Sequence, residues 1–174
     1  MTDGDLIKRI LDAALLRGHF TLRSGRTSNY YLDKYLFETQ PDILGALGER
    51  LAAHADEGVD RVAGAELGGI PLVTVTSIVS RKPAVLIRNQ KKQYGTARQL
   101  EGVLNEGDRV LIVEDVTTSG GQVIEAAQAI AAQGAQIAKI VTVIDRQEGA
   151  RQLIEEAGFA FEALFTRDDL GIEQ

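Results

Sequence analysis

The chain has no cysteine, so disulfides and thiolate chemistry are excluded from its fold and its reaction. That absence fits a reducing compartment, and a cytoplasmic location is the expectation. Positive charge is scarce. The 19 Lys and Arg residues stand against 25 Asp and Glu, a formal net charge of −6, which argues against a nucleic-acid scaffold with its basic footprint. Apolar runs fall far short of the ~20 residues that span a bilayer, and no charged-then-apolar leader opens the sequence. His19 and His54 lack partners at metal-ligand spacing and read as structural or surface residues. No internal repeat or linker is visible. What remains is 174 residues with 44% hydrophobic and 25% charged content, enough for one domain with a sizeable core.

Periodicity organises those residues. Leu6, Ile7, Ile10, Leu11, Ala14 and Leu15 predict a helix over 3–16, with Asp3 as its cap and Gly18 as its end. His19 to Phe37 reads as two short strands around a polar turn, and Pro41 starts a helix at N1, where its missing N–H costs nothing. Strands are then predicted at Arg61–Ala65, Ala84–Ile87, Arg109–Val113, Ile137–Ile144 and Phe159–Phe165. Helices are predicted at Leu72–Val79, from Val123 to a Gly134 cap, and at Gln147–Ala157. The alternation implies an α/β fold, a mostly parallel sheet flanked by helices. The N-terminal helix and hairpin break that alternation. They are expected to form a small hood (1–40, with the C-terminal part) over the strand ends of a core at about 41–165.

The stretch from Val110 to Gly121 carries the chemistry. A buried apolar strand leads into Glu114 and Asp115, then Thr117-Thr118-Ser119-Gly120-Gly121, then a helix. Free N–H groups and partial positive charge at a helix start suit an anion, and glycines let the backbone approach it. The two carboxylates suit a diol's hydroxyls or a metal. No lysine follows the glycines as a P-loop requires, and the spacing is not a dinucleotide fingerprint. An ordinary capped strand-to-helix turn is the bland alternative, but two adjacent acids after a buried strand are costly without a ligand.

Other stretches stay open when read singly. Gly64 to Pro71 is either a plain turn or a second phosphate loop. Arg88 to Arg98 holds four cations and no acid, and is either a solvated loop or a basic flap hinged at Gly95. Arg146 is a salt-bridge partner or a planar fork for a carboxylate or cyclic imide, and Tyr31 packs or stacks on a flat ring.

The Val110–Gly121 stretch closely resembles the phosphoribosyl-pyrophosphate (PRPP) motif of the type I phosphoribosyltransferases. Thr21-Leu22-Arg23-Ser24-Gly25-Arg26, Tyr30-Tyr31-Leu32-Asp33, Gly68-Gly69-Ile70-Pro71, the basic flap and Asp145-Arg146-Gln147-Glu148 occur in order over nearly the whole chain. Together they resemble the orotate branch. The resemblance implies Mg²⁺-dependent transfer from PRPP to orotate in pyrimidine synthesis. It also implies a homodimer in which the 88–102 flap of one subunit closes over the other's site. By resemblance, Glu114 and Asp115 hold ribose, Thr117, Thr118, Ser119, Gly120 and Gly121 the 5-phosphate, and Leu67, Gly68 and Gly69 pyrophosphate. Arg88, Lys91 and Lys92 neutralise pyrophosphate, with Lys92 and Asp115 as catalytic residues, while Arg23, Tyr31, Thr118 and Arg146 contact orotate. Mg²⁺ would be held mainly by PRPP and water, with no protein metal cluster. The chain departs from many bacterial members, which carry lysine at Arg23, tyrosine-lysine at Leu67-Gly68, a basic residue at Asn89 and histidine at Tyr94. Alternatives are transfer to another base, or a PRPP-sensing regulator without catalysis.

Overall fold

A computed structural model describes residues 1–21, 27–89 and 99–172. Helix α1 (Asp3–Ala14) leads into a hairpin, β1 (Leu15–Thr21) and β2 (Thr27–Leu32), then a single turn, α2 (Lys34–Glu38), and α3 (Pro41–Ala52). There follow β3 (Arg61–Ala65), α4 (Gly69–Ser80), β4 (Ala84–Ile87), β5 (Leu100–Glu101), β6 (Arg109–Thr117), α5 (Gly121–Ala131), β7 (Gln136–Asp145), α6 (Ala150–Glu156) and β8 (Phe161–Thr166). The hairpin is a separate antiparallel pair. The main sheet runs β5-β4-β3-β6-β7-β8, parallel except where β5 meets β4. Among the described residues no helix is long and apolar enough to cross a membrane.

Two cores flank this sheet, and the period-2 alternation of β6 feeds both. Leu111 and Val113 join Leu72 and Val73 of α4 and Ile43, Leu47 and Leu51 of α3 on one face. Val110 and Ile112 join Val123, Ala127 and Ile130 of α5 and Ile154 of α6 on the other. The chain leaves β3 through α4 toward β4, and leaves β6 through α5 toward β7, on the opposite side. β3 and β6 are neighbours, so their outgoing loops diverge at the point where the strand order reverses. In open α/β sheets that crevice binds ligands.

Several predicted boundaries move. The first helix ends at Ala14, not residue 16, because Leu15 and Leu16 pair with Leu32 and Tyr31; Gly18 therefore lies inside β1. Its cap is Thr2, whose hydroxyl accepts from Asp5 N–H, rather than Asp3. α4 begins at Gly69, which puts Pro71 in its first turn, where proline is tolerated. α6 begins only at Ala150, since Gln147 and Gly149 adopt φ of 56° and 102°. The cap of α5 is Ala132, with Gly134 two residues beyond it. Neither α2 nor the two-residue β5 follows from periodicity, since neither is long enough to show one. The acidic pair also lies within β6, not after it.

Gly64 and Gly69 set how closely α4 approaches β3. A Cβ on Gly64 would run into the carbonyl oxygen of Gly69 and stand 3.0 Å from the Val73 side chain. Gly64→Ala is expected to lower the unfolding free energy by about 1–3 kcal/mol through overpacking, measured by urea denaturation. An unchanged midpoint would show that the helix shifts away without cost.

Candidate active site

Glu114 and Asp115 lie in the buried part of β6, with Asp115 beside the last residue of β3's loop to α4. Asp115 is 1% exposed, and its Oδ2 lies 2.6 Å from Lys34 Nζ of α2. Its Oδ1 accepts from the Val116 N–H. Glu38, one turn beyond Lys34, is also 1% exposed. A Cβ on Gly68 would overlap the Asp115 carboxylate and stand 3.0 Å from Glu38 Oε1. Asp115 and Glu38 therefore converge on the space that Gly68 leaves open.

Among the described residues, three carboxyls and one ammonium share this pocket, and burial shifts their charges. Glu38 is pushed up to about 8, first by burial, then by the Asp115 charge, against the opposing pull of Lys34. Glu114 is pushed well above its usual range by burial and by Asp115. Burial opposes the charge on Lys34, but Asp115 outweighs it and holds the ammonium above its ordinary value. Among the described residues no hydrogen-bond donor reaches either Glu38 oxygen. A proton on Glu38 itself resolves this, because the carboxyl can then donate to Asp115.

The remaining predicted residues divide into those gathered here and those held elsewhere. Gly120 caps α5 at φ 79° without a side-chain hydrogen bond, so the first-turn N–H groups lack a side-chain cap. Thr118 and Ser119 are exposed beside them, while Thr117 Oγ1 is buried with no hydrogen-bond partner among the described residues. Arg146 N–H donates to the Thr117 carbonyl at 2.9 Å, which ties the β7 loop to the β6 loop. The Arg146 guanidinium pairs with Glu148 at 3.0 Å. Asn89 N–H donates to Glu66 Oε1 at 2.8 Å, and Gln122 of α5 donates to Asn89 Oδ1 at 3.0 Å. The loops after β3, β4 and β6 are thus linked.

Leu67 is 64% exposed on the first of these loops, and the Glu66–Leu67 peptide is cis. The glycines there have a packing reason besides any phosphate: Gly68 makes room for Asp115, and Gly69 packs on Gly64. Arg88 follows β4, with Nη1 4.0 Å from Glu101. Tyr31 stays on the hairpin with its ring centroid 5.7 Å from that of Phe20. Arg23, Lys91, Lys92 and Tyr94 lie outside the described residues. A cleft of about 660 Å³ opens beside the β7 loop, lined by Asp145, Gln147 and Gly149 to Gln152 among others. It holds neither the acidic pair nor residues 117–121.

Lys34 and Glu38 are the site residues that sequence reasoning misses. Their signal is faint: opposite charges four apart, hence on one helix face, directly after an Asp33 cap.

The high Glu38 value has a stability consequence. The unfolded chain releases this proton near its ordinary 4.5, whereas the folded protein holds it to about 8. The group's contribution is complete below pH 4.5 and is lost as pH rises through 8. Glu38→Gln should therefore gain stability relative to wild type from pH 5 to pH 8, read from urea midpoints. Glu114 leaves part of the slope in place. A constant difference between the two proteins would contradict a protonated Glu38.

Residues 39–163 match the family model for the phosphoribosyl transferase domain. An orotate phosphoribosyltransferase of Pyrococcus abyssi is 43% identical over 170 residues, 95% of this chain and 93% of the relative. A crystal structure of Mycobacterium tuberculosis orotate phosphoribosyltransferase in complex with Fe(III) dicitrate superposes with a TM-score of 0.86 at 30% identity, covering 97% of this chain and 98% of that one. The same enzyme in complex with PRPP gives 0.81 at 29% identity, with the same coverage. With a buried acidic pair, an uncapped helix start and two glycine loops at the strand reversal, the chain belongs to the orotate phosphoribosyltransferase family.

Proposed function

We propose that this chain transfers the phosphoribosyl group of PRPP to orotate, giving orotidine 5′-monophosphate and pyrophosphate for pyrimidine synthesis. The observation that carries this is Asp115, a buried carboxylate at the end of β6, beside the α5 N-terminus that is free to take an anion. A carboxylate for hydroxyls next to N–H groups for a phosphate matches a ribose 5-phosphate end. The name shared by relatives 39–45% identical supports the choice of base.

In the reaction the bond from ribose C1 to the pyrophosphate oxygen breaks, and a ring nitrogen of orotate bonds to C1. The centre between them has oxocarbenium character, as in glycoside chemistry. Orotate attacks as an anion, so no strong general base is required. Glu114 and Asp115 orient the ribose hydroxyls, and the Thr117–Gly121 backbone anchors the 5-phosphate. Arg146 exchanges Glu148 for the orotate carboxylate, a charge-assisted fork. Lys92 and Lys91 would neutralise the departing pyrophosphate, with Arg88 at the flap's root.

Magnesium enters as a partner of the substrate. Mg²⁺ prefers substrate phosphates, waters and one or two carboxylates to an all-protein cage. Among the described residues no three carboxylate or imidazole groups are arranged to hold a metal, and Glu114 and Asp115 are the carboxylates that could reach its waters. When bound, it would offset the charge of the leaving pyrophosphate.

A homodimer with an exchanged flap completes the reading. α4 is apolar around its circumference, which ordinarily marks a buried helix, yet Ile78 is 71% and Val79 44% exposed. A second copy of the chain would cover them. A cytoplasmic location fits the absence of cysteine.

The direct test follows orotate absorbance with PRPP and Mg²⁺, beside assays of adenine, guanine, hypoxanthine and uracil. Consumption of orotate alone is expected; turnover of a purine instead would overturn the assignment. Arg146→Ala is expected to weaken orotate by about 10- to 150-fold, the worth of a charge-assisted bond of roughly 1.5–3 kcal/mol, with little effect on PRPP. A change confined to PRPP would move Arg146 to the phosphate side. Flap exchange is tested by mixing Lys92→Ala and Asp115→Asn subunits, each inactive alone. Random pairing should restore roughly a quarter of wild-type activity through hybrids with one intact site. Verified hybrids without recovery would mean that each flap serves its own subunit.

A further inference from the structure

We propose that Lys34 and Glu38 of α2 are positioning residues for Asp115, setting its orientation and the charge around it so that one carboxylate is offered to the ribose hydroxyls. This rests on the reading that Asp115 holds ribose. Gly68 has no side chain, and the Asp115 carboxylate and Glu38 Oε1 fill the space in front of it. Lys34 Nζ approaches the same carboxylate from α2, 2.6 Å from Asp115 Oδ2. A lysine can play this part because its charge is compact and its stem flexible. The Lys34 side chain is 34% exposed while that of Asp115 is 1% exposed, so the ammonium reaches the buried carboxylate from the solvent side and leaves its other oxygen for a ligand.

Lys34 and Glu38 stand one turn apart and present both groups to the same carboxylate. The charged and titratable groups acting on Glu38 are Asp115 of β6, Lys34 of its own helix and Asp33 at the cap, with Glu114 coupled through Asp115. A proton on Glu38 leaves Asp115 and Lys34 as one anion and one cation. Its loss adds a negative charge next to a site that must accept a polyanion. Tight PRPP binding therefore requires the neutral acid.

Calorimetry on the intact protein separates this role from the alternatives, using PRPP, orotate and magnesium pyrophosphate as ligands. Lys34→Met should weaken PRPP by at least about tenfold, the cost of an undirected charged contact, and leave magnesium pyrophosphate unchanged, since pyrophosphate has no ribose. Glu38→Gln mimics the neutral acid and tests the idea should Lys34→Met fail to fold. Wild-type PRPP affinity should fall about tenfold between pH 7 and pH 9, as a group titrating near 8 requires. In Glu38→Gln that fall should disappear. The inference is overturned if Lys34→Met binds PRPP like wild type, if it loses pyrophosphate equally, or if Glu38→Gln keeps the wild-type pH dependence. Asp115→Asn tested alongside separates the two levels. Normal PRPP binding by Asp115→Asn removes the ribose reading itself, whereas weak binding there with normal binding by Lys34→Met removes only the inference.

Discussion

The ion pair between Lys34 and Asp115 is the interaction on which the site depends. Among the described residues, three buried carboxyls meet near the end of β6, and the Lys34 ammonium faces them. Placing three anions there would be prohibitive, since desolvation and mutual repulsion act together. The fold eases this by raising the proton affinity of Glu38 and Glu114, through burial and the Asp115 charge, and by setting Lys34 against Asp115. The neighbouring details follow from that arrangement. Gly68 must lack a side chain because the carboxylate occupies its place, and Gly69 must be small because α4 is drawn onto Gly64. The strand before them stays buried on both faces, which makes β6 rigid enough to present a carboxylate in one orientation.

Much of this was legible in the sequence because buried parallel strands announce themselves. Val110-Leu111-Ile112-Val113 could hardly be anything but a central strand, and the acids, hydroxyls and glycines after it mark a ligand loop. The helix of α3 was readable from Pro41 and the spacing of Ile43, Leu47 and Leu51. What could not be read depended on pairing across the chain. The end of α1 is decided by the partnership of Leu15 with Leu32, and β5 exists only because β4 offers it an edge. Lys34 and Glu38 belong to the same class. Five residues show no period, and their importance comes from Asp115, far away in sequence and adjacent in space.

The split between loop and scaffold also explains why function needed more than the fold. The sheet order and the two cores place a crevice at the reversal between β3 and β6, and such a crevice serves many substrates. In the proposed reading, β6 and its loop take the PRPP end. The base end then falls to residues on other elements, Arg146 beside Thr117 and the hairpin that carries Tyr31. The most direct test of the whole account is a crystal structure of this protein with PRPP and magnesium. It predicts ribose hydroxyls within hydrogen-bond distance of Glu114 and Asp115, the 5-phosphate on the backbone of residues 117–121, and Asp115 still held by Lys34. A ribose bound elsewhere, or Lys34 gone from Asp115, would contradict it.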